Sequence, residues 1–98
     1  MIVLLSDDAE LDLVRGVTFY DSAGKAVGEH FLDSLITDLQ SLSFSGGVHG
    51  KRFGYHCVCA SRFPFAIYYT VEGDSVIVIA ILDERRNPDL IADRLNNG

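Results

Sequence analysis

A chain of 98 residues fits one domain, residues 1–98, with one core and no space for a deep enclosed active site. Its net charge of −6, from 8 basic and 14 acidic side chains, counts against a general nucleic-acid-binding domain. Although 48% of the residues are hydrophobic, no apolar run approaches the roughly 20 residues that span a bilayer, and the expected location is the cytoplasm.

Residues 1–5 are apolar and partly β-branched, and read as a strand. The run is far shorter than a signal peptide's apolar region, and no basic residue precedes it. Ser6, Asp7 and Asp8 follow, and any of them can cap a helix; Asp7 with Glu10 has the spacing of a capping box. Leu13, Val17 and Tyr20 recur at helical spacing, flanked by Leu11 and Val14, and predict an amphipathic helix that stops near Gly24. A second helix begins around residues 25–28, with Val27, Phe31, Leu35, Leu39 and Leu42 on one stripe, Leu32 and Ile36 widening it, and Asp33 and Asp38 outside it. The connection at Gly24 is short, so the two helices form an antiparallel hairpin with an apolar face to cover. This first half is acid-rich: residues 1–45 hold eight acidic side chains against Arg15 and Lys25.

Ser45-Gly46-Gly47 ends the second helix in a turn. Residues 48–53 form a weak strand broken by Gly50 and ended by Gly54, and residues 55–61 form a second. Between residues 48 and 71 stand Lys51, Arg52 and Arg62 with no acid among them, the one stretch suited to an anionic partner. Cys57 and Cys59 lie two apart on this strand, so they share a face with parallel side chains, which does not suit a disulfide. With His49 and His56 they lack the paired spacing of a zinc site, and they read as small apolar residues; neither a metal nor another cofactor is expected.

Phe65, Ile67, Tyr69 and Val71 alternate onto one face of a third strand, which Pro64 opens. Glu72-Gly73-Asp74 makes a tight turn into residues 76–82, apolar at every position and therefore expected to be covered on both faces, inside the sheet. After Pro88, Leu90, Ile91 and Leu95 predict a short C-terminal helix. The whole is an α+β fold: an antiparallel helix hairpin packed on one face of a three- to four-stranded, mostly antiparallel sheet, with a short C-terminal helix.

Arg62-Phe63-Pro64-Phe65-Ala66-Ile67-Tyr68-Tyr69 resembles the Arg-Phe-Pro-Tyr-x-Ile-x-Tyr strand of ParE/RelE-type toxins, the toxin halves of type II toxin–antitoxin (plasmid stabilisation) systems. The strand from Val76 to Leu82, running into Arg85-Arg86-Asn87-Pro88, resembles the family's central strand and its Arg-Asp-Pro ending. Ser6-Asp7-Asp8-Ala9-Glu10-Leu11-Asp12-Leu13 is similar to the family's Ser-x-x-Ala-x-x-Asp-Leu entry to the first helix. Phe19-Tyr20 and Gly28-Glu29-His30-Phe31-Leu32 match further positions. Phe63, Phe65, Ile67 and Ala80 are expected to build the core rather than touch a target.

The resemblance implies a cognate antitoxin that covers an apolar groove and a sheet edge, and self-association where that surface is left bare. It implies two target classes. Relatives of the RelE kind cleave messenger RNA in the ribosome, which requires an acid, a base and cations at the developing phosphorane charge. Relatives of the ParE kind poison DNA gyrase and cleave nothing. Arg62, Arg85 and Arg86 are the residues this implies for target binding, and with His56 they are the candidates for nuclease chemistry. Asp83 stands where many relatives carry a His, Glu84 adds a second acid, and residues 89–98 hold neither Tyr nor His, which favours the gyrase branch without an enzyme activity. A member that has lost toxicity and only binds a partner is the third reading.

Overall fold

A computed structural model describes residues 1–97. In chain order it contains β1 (Ile2–Leu5), α1 (Asp7–Asp21), α2 (Lys25–Ser45), β2 (Lys51–Arg52), β3 (Tyr55–Cys59), β4 (Phe65–Glu72), β5 (Ser75–Asp83) and α3 (Pro88–Asn97). The helix hairpin and the α+β architecture follow the sequence reading. The sheet departs from it: among the described residues it has five strands, not three or four, in the order β1-β5-β4-β3-β2. The strand read at residues 1–5 joins the sheet as its fifth member, β1, which pairs with β5 in parallel, Ile2 opposite Ser75 and Leu5 opposite Val78. Short connections favour antiparallel pairs, but β1 returns to β5 only after both helices and three strands, so that rule does not bind it. Residues 48–53 contribute only the two-residue β2, because Phe53 and Gly54, with φ of 56° and 87°, form a tight turn into β3.

Ser6, not Asp7, caps α1: its Oγ accepts from the Ala9 N–H at 3.1 Å. The most buried positions of α1 carry small side chains and one acid, with the predicted stripe of Leu13, Val17 and Tyr20 partly buried against the core. Ala9, Asp12 and Gly16 are its buried residues, while Leu11 and Val14 are exposed. Gly16 receives the Phe31 ring so closely that a Cβ there would sit 2.6 Å from two ring carbons. On α2 the apolar stripe is where its spacing places it: Phe31, Leu35, Leu39 and Leu42 are buried.

Two cores lie on opposite faces of the sheet. Under the hairpin, Phe65, Ile67, Tyr69, Val76, Val78 and Ile81 meet Ala9 and the α2 stripe. On the other face Ala66, Tyr68, Ala80 and Leu82 meet Ile91 and Leu95 of α3. The hairpin keeps to one face as expected, and α3 lies on the other, covering the apolar side chains that alternation sends there. A bulge explains why Val76 and Val78 of β5 face the hairpin while Ala80 and Leu82, at the same even spacing, face α3. Tyr68 pairs with Ala80 but Tyr69 with Val78, leaving Ile79 as the extra residue and shifting the period. Ile77 and Ile79 are consequently half-buried, not covered as the apolar run suggested. No helix among the described residues is long and apolar enough to cross a membrane.

Candidate functional site

The three arginines singled out by the sequence stand at one end of the sheet, where β3 and β5 finish and β4 begins. Arg62 belongs to the loop of residues 60–64. That loop is pinned to α2, because Asp38 accepts from Ser61 N–H at 3.0 Å and from Ser61 Oγ–H at 2.8 Å. Phe63 drops into an aromatic box made by Tyr20 and Phe31, with ring centroids 4.9 and 5.1 Å away. The neighbouring loop is tied to this one by a bond from Glu84 N–H to the Pro64 carbonyl at 2.8 Å. Arg62, Arg85 and Arg86 are all exposed.

They do not form one clamp. Arg62 lines a depression of about 230 Å³ against α2, shared with His30, Asp33 and Thr37. Arg86 lines a separate cleft between α1 and the end of β5. Arg85 is spent on Asp83: its Nε and Nη2 donate to the two carboxylate oxygens at 3.0 and 2.7 Å. Asp83 thus holds the arginine two residues after it. Glu84 accepts from the Cys59 thiol at 3.1 Å, and that bond pushes the thiol up from its ordinary range. Asn87 and Pro88 serve the fold, since the Asn87 side chain accepts from Asp89 N–H and Pro88 opens α3.

His56 is not part of this end. It pairs with Tyr69, four residues or roughly 13 Å along β4 from Phe65. Its ring stacks on Tyr69 with centroids 5.1 Å apart, and its Nδ1 donates to the His49 carbonyl at 2.6 Å. That Nδ1–H holds the loop before β2. The histidine that shares a depression with an arginine is His30, an exposed residue whose ring lies 5.4 Å from Phe63. Sequence reasoning passed over it because helical spacing showed only that it lay off the apolar stripe.

Asp12 was also passed over. Its carboxylate accepts from Arg94 Nη1 and Nη2 at 2.7 and 2.8 Å and from Ile81 N–H at 3.0 Å. Beyond the end of β1 the edge of β5 has no strand partner, and Asp12 satisfies the amide left there. Arg94 reaches it from α3, joining the two faces. The Ser6, Ala9 and Asp12 positions of the resemblance are therefore a helix cap, a contact residue and a clamp. Cys57 is half-buried and Cys59 exposed, and among the described residues no three His, Cys, Asp or Glu side chains gather to hold a metal.

The apolar groove lies between the helices. Val3 and Leu5 of β1, Leu13 of α1, and Ile36 and Leu39 of α2 enclose about 270 Å³ that opens to solvent.

No family model and no curated protein matches the sequence. Among solved structures, the chain is similar to one described as the chromosomal ParDE TA system from P. aeruginosa. The TM-score is 0.74 at 17% identity, covering 83% of this chain and 92% of that one. The two chains share a fold.

Proposed function

We propose that this chain is the toxin of a toxin–antitoxin pair, ParE-like, acting in the cytoplasm on DNA gyrase and neutralised by a cognate antitoxin. The observation that carries the reading is the shared fold with a chain of a ParDE system over most of both lengths. The open groove lined by Val3, Leu13 and Ile36 suits an antitoxin segment laid across the hairpin, and offers self-association when bare. The end of the sheet bearing Arg62, Arg85 and Arg86 is the face offered to the target. Asp83 takes up the Arg85 charge there and His56 is absent, which favours binding over catalysis.

One observation favours a second reading. His30 and Arg62 border the same depression, which offers an acid–base group and a cation to one ligand, as RNA cleavage requires. Asp33 in that depression opposes a phosphate.

Induced expression in a growing bacterium, with a DNA-damage reporter and messenger-RNA integrity followed together, separates them. Arrest with a damage response and intact RNA is the expected outcome, relieved by replacing Arg85 and Arg86 with Ala. Arrest with rapid RNA cleavage, relieved by His30→Ala or Arg62→Ala, establishes the nuclease instead. A folded protein that does neither retains only partner binding.

A further inference from the structure

The cleft between α1 and the end of β5 carries a charge its composition hides. Two acids and two arginines line its volume of about 340 Å³: Asp12, Asp83, Arg15 and Arg86. Both acids are already neutralised from outside it. Asp12 holds Arg94 through two hydrogen bonds, and Asp83 holds Arg85 through two more. Arg15 and Arg86 make no salt bridge among the described residues. The cleft is thus cationic by two guanidinium groups, although the chain as a whole carries −6.

Its walls narrow the choice of anion. Phe19 stands one helical turn after Arg15, is 59% exposed at the rim, and faces a wall formed by buried Phe65. An apolar group beside the anion would cover that ring. Asp7, Asp8 and Glu10 crowd the first turn of the same helix, so a polyphosphate strand crossing α1 meets more repulsion than a single carboxylate does.

We propose that this cleft receives one acidic side chain, adjacent to an aromatic or aliphatic one, from an extended segment of a partner protein. The carboxylate lies between Arg15 and Arg86, where two charge-assisted contacts hold it, and the apolar neighbour packs on Phe19. The inference extends the target-binding role proposed for Arg86. Its test is a binding titration, not growth arrest, so the two stand or fall separately.

The test titrates the full chain, labelled with ¹⁵N, with the blocked dipeptide acetyl-Glu-Phe-amide, and in parallel with acetyl-Gln-Phe-amide and with adenosine monophosphate. The expected result is that the amides of Arg15, Gly16, Phe19 and Arg86 shift with the Glu peptide at millimolar concentration. The Gln peptide should bind about tenfold more weakly or worse, and Arg15→Gln or Arg86→Gln should each weaken the Glu peptide by about the same factor. Both arginines are exposed, so the rest of the amide spectrum reports that the variants are folded. Equal binding of the Glu and Gln peptides, unchanged affinity in both variants, no shift in these amides, or preference for the nucleotide would each overturn the proposal.

Discussion

Two bidentate arginine–aspartate pairs in this molecule share one closest distance and differ in surroundings. Arg94 meets Asp12 with a closest approach of 2.7 Å, and Arg85 meets Asp83 with the same closest approach. The side chains of Arg94 and Asp12 are 24% and 4% exposed, whereas those of Arg85 and Asp83 are 58% and 23% exposed. In water the ions of such a pair are nearly as well off apart, and holding two side chains together costs entropy. Asp12 is buried and Arg94 three-quarters so, and removing the carboxylate leaves both the guanidinium and the Ile81 amide without their acceptor. Identical distances thus describe a clamp at one site and a local adjustment of charge at the other.

The largest effect should come from breaking the clamp. Asp12→Ala strands Arg94 and leaves the Ile81 amide without an acceptor, and should cost about 3–5 kcal/mol, measured from urea unfolding. Asp12→Asn keeps an acceptor for Ile81 N–H and should cost clearly less. A loss of under about 1 kcal/mol in Asp12→Ala would place this pair with the exposed one and erase the contrast.

The contrast also marks what was readable in the sequence. The α2 stripe of Phe31, Leu35, Leu39 and Leu42 and the alternation of Phe65, Ile67 and Tyr69 were legible because apolar spacing reports burial directly. The ends of β4 and α3 were legible through Pro64 and Pro88. Asp12 was not, since a charge on a helix reads as solvent-facing and the residue that neutralises it stands 82 positions away. The parallel β1–β5 pair and the bulge at Ile79 are likewise long-range consequences of the other contacts. Of the candidate site, the positions of Arg62, Arg85 and Arg86 at strand ends could be read. Which cleft each borders, and that His30 rather than His56 comes near Arg62, depend on register and helix packing.

Adjacent tyrosines sharpen the same lesson with a smaller effect. Tyr68 and Tyr69 are both fully buried, one on each face of the sheet. Tyr69 Oη accepts from Gly47 N–H at 3.0 Å and lies 2.6 Å from His49 Nδ1. Tyr68 Oη meets no good hydrogen-bond geometry among the described residues, its polar neighbour being the Cys57 thiol, a weak partner. Tyr69→Phe should therefore lose about 1–2 kcal/mol, while Tyr68→Phe should be neutral or gain up to about 1 kcal/mol. Equal losses in the two variants would show that Tyr68 has a good partner after all. Burial, with the neighbouring Cys57 adding to it, pushes the Tyr68 phenol up to about 12. In an alkaline absorbance titration its signal should appear late and vanish in Tyr68→Phe.

The exposed pair should give the smallest effect, and pH isolates it. The hydrogen bond from Arg85 holds the Asp83 carboxyl below its ordinary range, against the opposing pull of partial burial. A carboxyl depressed in the folded state adds stability that is fully present above its unfolded value of about 3.9 and is lost as pH falls through the lower folded value. The difference in stability between the native chain and Asp83→Asn should accordingly stay level above about pH 5 and close below about pH 4. Because Arg85 is open to solvent, added salt should shrink that difference further. A difference that persisted unchanged into strong acid, or ignored salt, would mean that Asp83 acts through its shape or its hold on the Arg85 backbone N–H at 2.9 Å rather than through its charge. The residue would then belong with Asp12 as a structural anchor of its loop, and the neutralisation of Arg85 would no longer count against a phosphate at that end of the sheet.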